Sequence, residues 1–287
     1  MTGNYLILFI LIAAGLFHPT LSDAMLPDKP QHLSIGLGAE FTSGSYGTGT
    51  ETRSMYLPLT VTWSPNERID LGVEIPFLYQ NNANVTTNLF QSSQQTVAAD
   101  TAAAKGGPGG PGGVPQGGVS SGSTDSAVSG LGDVILRFGV VVLAEGRTAP
   151  QIRPSMSIKC PTARKADGLG TGEFDVTAGV DLSKWLGDLH LTGEGSYTYQ
   201  GKAEGFGLMN YFSYSGGIGY QLTERFEPGL MVKGGTPPAE SATALLEVRA
   251  RTVVTFDDRT SLDLYLSHGL TDSSPEYGGG IAVIYSF

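Results

Sequence analysis

Phe174-Asp175-Val176-Thr177-Ala178-Gly179-Val180-Asp181-Leu182-Ser183 is apolar at every even position and polar or glycine at every odd one. A period of two is the mark of a strand whose faces meet different surroundings. The following segment repeats it. Leu189, Leu191, Gly193, Gly195, Tyr197 and Tyr199 share one face, and His190, Thr192, Glu194, Ser196, Thr198 and Gln200 share the other. Gly187-Asp188 separates the two segments, and glycine at the first turn position suits a two-residue type II′ hairpin.

Working outward from this hairpin, the same alternation predicts strands at 32–42, 53–64, 68–79, 130–144, 150–160, 172–186, 189–201, 210–222, 225–234, 243–256, 259–270 and 277–287. Short connections centre on Pro65-Asn66, Gly146, Gly187-Asp188, Thr223-Glu224 and Asp257-Asp258. They alternate with longer ones at 43–52, 80–129, 161–171, 202–209, 235–242 and 271–276. An even number of strands with short turns at one end and long loops at the other is the pattern of an all-β, transmembrane, antiparallel up-and-down β-barrel of about twelve strands. It places both termini in the periplasm.

A soluble barrel or sandwich also alternates, so the wet face has to be identified. Met55, Leu57, Leu59, Val61 and Trp63 form one continuous apolar face; Ile69, Leu71, Val73, Ile75, Phe77 and Tyr79 form another. Both end in aromatics, as lipid-facing strands do at the membrane interfaces. In a soluble sandwich those aromatics would fill a core instead. The final strand runs Tyr277, Gly279, Ile281, Val283, Tyr285, Phe287 on one face. With Tyr285 and Phe287 at its end, it is expected to carry the signal that barrel-assembly machinery reads.

Composition agrees. Charged residues are 15% and hydrophobic ones 40%, with 41 glycines. A soluble helical enzyme carries about a quarter charged residues, and a helical membrane protein needs spans of roughly twenty apolar residues. The net charge of −10 argues against a nucleic-acid partner. With Cys160 as its one cysteine, the chain has no internal disulfide and no thiolate metal cluster. Residues 1–24 read as a signal peptide, although Met1 to Tyr5 lacks Lys and Arg. Leu6 to Phe17 is an apolar core too short for a comfortable membrane helix, His18-Pro19 ends it, and Ser22-Asp23-Ala24 offers a cleavage site before Met25. The barrel then occupies 25–287.

The 80–129 connection contains Gly106-Gly107-Pro108-Gly109-Gly110-Pro111-Gly112-Gly113 and Ser120-Ser121-Gly122-Ser123. This composition buries too little apolar surface to offset chain entropy. It is expected as a long extracellular surface loop, or, through Val85 to Val97, as a constriction in the barrel mouth. It lacks the G-x-x-x-x-G-K pattern of a phosphate loop.

Several short motifs follow in order: Ser129-Gly130-Leu131-Gly132-Asp133, Lys159-Cys160-Pro161-Thr162, Gly168-Leu169-Gly170-Thr171-Gly172, Asp175, and Asp181-Leu182-Ser183-Lys184. This order resembles the outer-membrane proteins named for the meta-pathway of phenol degradation, most sharply over 129–200. Cys160 stands where an aliphatic residue is expected. The resemblance implies an outer-membrane transporter or channel, and the family name a link to aromatic compounds.

If the polar faces point inward, Glu40, Asp70, Glu74, Asp133, Asp175, Asp181, Glu194, Glu227, Glu247 and Asp263 line a lumen with Arg137, Arg153, Lys159, Lys233, Arg249 and Arg251. The Gly187-Asp188 turn sets Asp181 opposite Glu194, two acids that need water, a base or an ion between them. A turn centred on Asp257 sets Arg251 opposite Asp263. Twelve strands tilted about 40° give a backbone diameter of roughly 24 Å, narrow once long side chains enter it. The expectation is a weakly cation-favouring pore for small, aromatic or hydrophobic solutes, with a basic strip along strands 4–5 and 9–10. The alternative is a non-transporting structural or interaction barrel braced by salt bridges.

A lipid hydrolase is a third reading, with His268 its candidate on the outward face near the extracellular end. Its neighbour Ser267 faces the other way. His32 and His190 sit at the opposite end. No cofactor is indicated and no metal constellation stands out, although Asp181 with Glu194 is a weak calcium candidate.

Overall fold

In the computed structural model the described residues are 32–46, 51–81, 85–86, 97–98, 127–203, 207–240 and 242–287. The leader read over 1–24 lies outside them, as does most of the 80–129 connection. Within that connection, Val85–Thr86 pairs with Val97–Ala98 in a separate two-stranded ladder.

Among the described residues the wall has twelve strands. The first six are β1 (His32–Gly44), β2 (Thr52–Asn66), β3 (Ile69–Gln80), β4 in two segments (Val128–Leu131 and Val134–Val140), β5 (Gln151–Cys160) and β6 (Asp175–Leu186). The rest are β7 (Leu189–Tyr199), β8 (Tyr211–Tyr220), β9 (Phe226–Gly235), β10 (Leu245–Thr255), β11 (Thr260–Gly269) and β12 (Tyr277–Ser286). Each pairs antiparallel with the next. β1 also pairs with β12, from Ser34 opposite Ser286 to Ser43 opposite Tyr277, and this closes the ring. Closure satisfies the backbone without a free edge, the condition for crossing hydrocarbon with strands. No described helix is long and apolar enough to cross a membrane.

The burial pattern fixes the faces. Leu266 is 72% exposed and Leu37 63%, whereas Glu74 is 0% and Glu40 2% exposed. Apolar side chains cover the outside and ionisable ones fill the inside, the reverse of a soluble barrel. Outward aromatics gather at both rims. Phe41, Phe77, Tyr79, Tyr197, Tyr199, Tyr214 and Tyr277 stand toward the long loops; Trp63, Tyr220, Phe256, Tyr285 and Phe287 stand toward the short turns. An apolar band between aromatic girdles is a membrane-spanning surface. The chain is therefore a transmembrane β-barrel of the outer-membrane type.

The hairpin at Gly187 has a positive φ of 65° there and joins Leu186 to Leu189 as partners, as a type II′ turn requires. Two local expectations are corrected. The fourth strand is not continuous over 130–144. Its partner register on β3 shifts by one residue between Leu131 opposite Phe77 and Ile135 opposite Glu74. The extra residue is absorbed at Gly132-Asp133, a β-bulge that keeps Leu131 and Val134 in phase and turns Asp133 inward. Beyond Val140, the amides of Val142 and Leu143 both donate to Ile152 O, at 3.0 and 3.3 Å, so the ladder is disrupted again.

Arg251 and Asp263 are not direct partners either: Arg251 lies opposite Tyr265, and Val253 opposite Asp263. The Asp257 carboxylate accepts the amides of Arg259 and Thr260 at 2.8 and 2.7 Å, which enlarges the turn and moves the register by two. The ion pair forms on the diagonal, Arg251 Nη2 to Asp263 Oδ2 at 2.6 Å.

Candidate functional site

Strand alternation sets every second side chain on the inner wall, and register decides which of them meet. From Glu40 the contacts can be followed around the barrel. Glu40 on β1 lies opposite Tyr56 on β2, whose hydroxyl donates to Glu74 on β3. The other Glu74 oxygen accepts from Arg137 on β4 at 2.6 Å. Arg137 shares a polar hollow of about 130 Å³ with Arg153, Ser155, Thr177, Asp181 and Glu194.

Arg153 on β5 bridges Asp181 on β6 and, across β4, Asp70 on β3. Gly139 makes that crossing possible. Its position lies under the guanidinium, and a side chain there would occupy the space of Arg153. Asp181 and Glu194 are direct partners across β6 and β7, and Arg153 on β5 pairs with Asp181 from its other side. Ser215 then links Glu194 to Lys233 on β9, and Lys233 lies opposite Glu247 on β10. Glu247 accepts from Arg249 at 2.6 Å, and the Arg249 guanidinium sits 4.4 Å above the Tyr265 ring. Tyr265 is opposite Gly280 on β12, and Gly280 opposite Glu40. The belt is continuous around the inner wall.

A second group lies toward the long loops. Lys159 Nζ is 2.7 Å from Asp175, 3.3 Å from Asp133 and 3.1 Å from Thr171 Oγ1, all three charged groups being nearly buried. Asp133 also accepts the Ala163 amide at 2.9 Å, and Asp175 that of Gly201 at 3.0 Å. These contacts draw the β5–β6 connection onto the inner wall. Its Leu169 is buried with Tyr56, Leu78, Tyr265 and Ala282, close over Gly130.

Neighbouring loops fold in as well. Gln200 donates to Pro238 O at 2.8 Å and to Met209 O at 2.6 Å, while Ser273 and Ser274 bind the 243–246 segment. Inward narrowing among the described residues thus comes from the β5–β6 connection together with the β7–β8, β9–β10 and β11–β12 connections. The alternation could not show this, because a loop's direction is set by its hydrogen-bond partners. The inward Asp133 and Lys159 are the available signal.

Toward the short turns, Arg251 with Asp263 and His190 with Glu227 remain on the inner face. His190 Nδ1 is 2.8 Å from Glu227 Oε1, its Nε2 is 3.0 Å from Ser183 Oγ, and its ring stacks on Trp185 at 4.1 Å. Each assigned base meets acids: Arg137, Arg153, Lys159, Arg249 and Arg251 in ion pairs, and Lys233 opposite Glu247. The basic strip expected along strands 4–5 and 9–10 is therefore broken up. Outside the wall, Glu145 accepts from Lys184 at 2.9 Å and from the Trp185 amide at 2.9 Å, which holds its carboxyl below the usual range. His268 faces outward, bonded to Glu276 O at 2.7 Å and packed on Tyr277. Among the described residues there is no cluster of His, Cys, Asp and Glu suited to a metal.

The fold has solved relatives. An outer membrane channel from Pseudomonas putida F1 superposes with a TM-score of 0.62 at 12% identity, covering 91% of this chain and 97% of that one. The KdgM porin, solved with disordered oligogalacturonate, gives 0.50 at 10% identity over 88% and 99% of the two chains. The NanC porin gives 0.50 at 10% over 88% and 98%. At these identities the likeness is one of fold. No curated protein matches the chain. The family described as "Putative MetA-pathway of phenol degradation" matches residues 76–287, from β3 through the Gly132 bulge and the Lys159 cluster to the last strand, and the chain belongs to that family.

Proposed function

We propose that this barrel is an outer-membrane channel for small solutes, narrow and weakly cation-favouring. The carrying observation is the belt of ionisable side chains on the inner wall, in which Glu40, Asp70, Glu74, Asp181, Glu194 and Glu247 outnumber Arg137, Arg153, Lys233 and Arg249. A charged ring in a low-dielectric wall focuses the field and selects by charge. On this reading the sixteen inward charges named above line the pore, and the β5–β6 connection narrows its loop end. That end faces outward and the short turns face the periplasm.

The names of the structural relatives, a channel and two porins, support transport. The family description supports aromatic compounds as the solute class. Tyr285 and Phe287, edge to face at 4.9 Å on the last strand, are proposed as the assembly signal. A non-transporting barrel has one observation in its favour, the dense burial of Glu40, Glu247, Arg249 and Tyr265. Liposomes carrying the refolded protein distinguish the two. Flux of small cations and of phenol-sized solutes above that of empty liposomes supports the channel; flux equal to empty liposomes supports the braced barrel.

A further inference from the structure

Ser183, His190 and Glu227 come from three strands, β6, β7 and β9, and form one hydrogen-bonded row on the inner wall near the short turns. A carboxylate can only accept, so in the neutral imidazole the one ring proton resides on Nδ1, directed at Glu227. Nε2 is then left to accept from the Ser183 hydroxyl at 3.0 Å. The serine and the acid therefore hold opposite ring nitrogens, which is the connectivity of a serine nucleophile, its general base and the carboxylate that orients the base. Trp185, parallel to the imidazole within 9°, fixes the ring plane.

We propose that Ser183 is a nucleophile for small carboxylic esters, with His190 as its base and Glu227 as a positioning residue. The Ser183 oxygen attacks the ester carbonyl carbon while its proton passes to His190 Nε2. The carbon–oxygen bond to the alcohol breaks as that proton moves to the departing alkoxide. Water, deprotonated by His190, then attacks the acyl carbon; the bond from that carbon to Ser183 Oγ breaks, the proton passes from His190 Nε2 to Oγ, and the carboxylic acid leaves. Strand amides are engaged in the ladder, so oxyanion stabilisation falls to side chains. Gln151 on β5 and Thr192 on β7 are the direct register partners of Ser183 and bring N–H and O–H donors to either side of it. A hollow of about 30 Å³ lies beside His190 and Glu227, bounded by Thr192, Gly217, Gly219 and Gly229, with room for one water on the Glu227 side of the ring.

This inference does not depend on channel activity, and its test does not measure transport. The refolded, detergent-solubilised full-length protein is treated with a fluorophosphonate probe and digested, and the modified residue is located by mass spectrometry. The expected result is a label on Ser183, with turnover of p-nitrophenyl acetate that Ser183→Ala abolishes. His190→Gln should slow labelling by about 100-fold. Glu227→Gln should also slow it, and Glu227→Asp should restore most of the rate, which a purely structural carboxylate would not require. An unlabelled wild-type protein, or a label placed elsewhere, overturns the proposal whatever the variants do.

Discussion

Asp181 and Glu194 stand directly opposite each other on β6 and β7, two acids on the inner wall, and Arg153 is the base that holds the first of them. The same guanidinium holds Asp70 across Gly139. Arg153→Met would leave Asp70 and Asp181 without their shared base. It should cost about 2 kcal/mol of stability, below the range for fully buried pairs because the guanidinium is part-exposed. Gly139→Val should give a similar loss by displacing that side chain, and the double variant should cost less than the sum. Urea unfolding in detergent followed by tryptophan fluorescence measures all three.

Lys159 ties Asp133, Asp175 and Thr171 together and with them the β5–β6 connection. Lys159→Met leaves two nearly buried acids uncompensated. It should lower stability by about 3 kcal/mol and release the loop from the wall. Limited proteolysis should then cut within 161–174, and the same treatment should leave that segment intact in the wild type.

Outward and inward positions should respond oppositely to charge. Leu136 is exposed on the outer face of β4, whereas Ser155 on β5 lies on the inner face. Leu136→Arg should cost about 2–4 kcal/mol in lipid, and Ser155→Arg far less. Equal costs would place the membrane surface elsewhere.

Strand number and the closed ring were legible because period-two alternation runs through nearly every strand, broken only in the connections and at a few irregularities. What alternation cannot carry is phase across irregularities. The Gly132-Asp133 bulge and the Asp257-capped turn each shift the register without changing which residues are polar. The belt was only partly legible: Tyr56 and Tyr265 are inward, but an aromatic in a strand reads equally as lipid-facing. The Ser183–His190–Glu227 row was out of reach, since it joins β7 to β9 across the glycines of β8, where missing side chains permit a contact that no adjacent-strand register indicates.

Glu145 supplies a pH response outside the membrane band. Its carboxyl is lowered first by the Lys184 hydrogen bond and then by the Trp185 amide. A carboxyl depressed in the folded state contributes stability above its unfolded value of about 4.3. That contribution is lost as pH falls through the lower folded value. In a Trp63→Phe background, where Trp185 is the one remaining tryptophan, fluorescence should change on acidification with a midpoint below the ordinary glutamate range. Glu145→Gln should remove the transition.

A charged belt of this kind should make the barrel a conducting, cation-favouring pore. Single-channel recording in a planar bilayer under a potassium chloride gradient tests it most directly. The predicted result is a small unitary current whose reversal potential lies on the potassium side, with Arg153→Met moving it further toward potassium. A bilayer that stays silent with folded protein inserted, or a current reversing on the chloride side, would show that the belt does not make a cation-favouring pore.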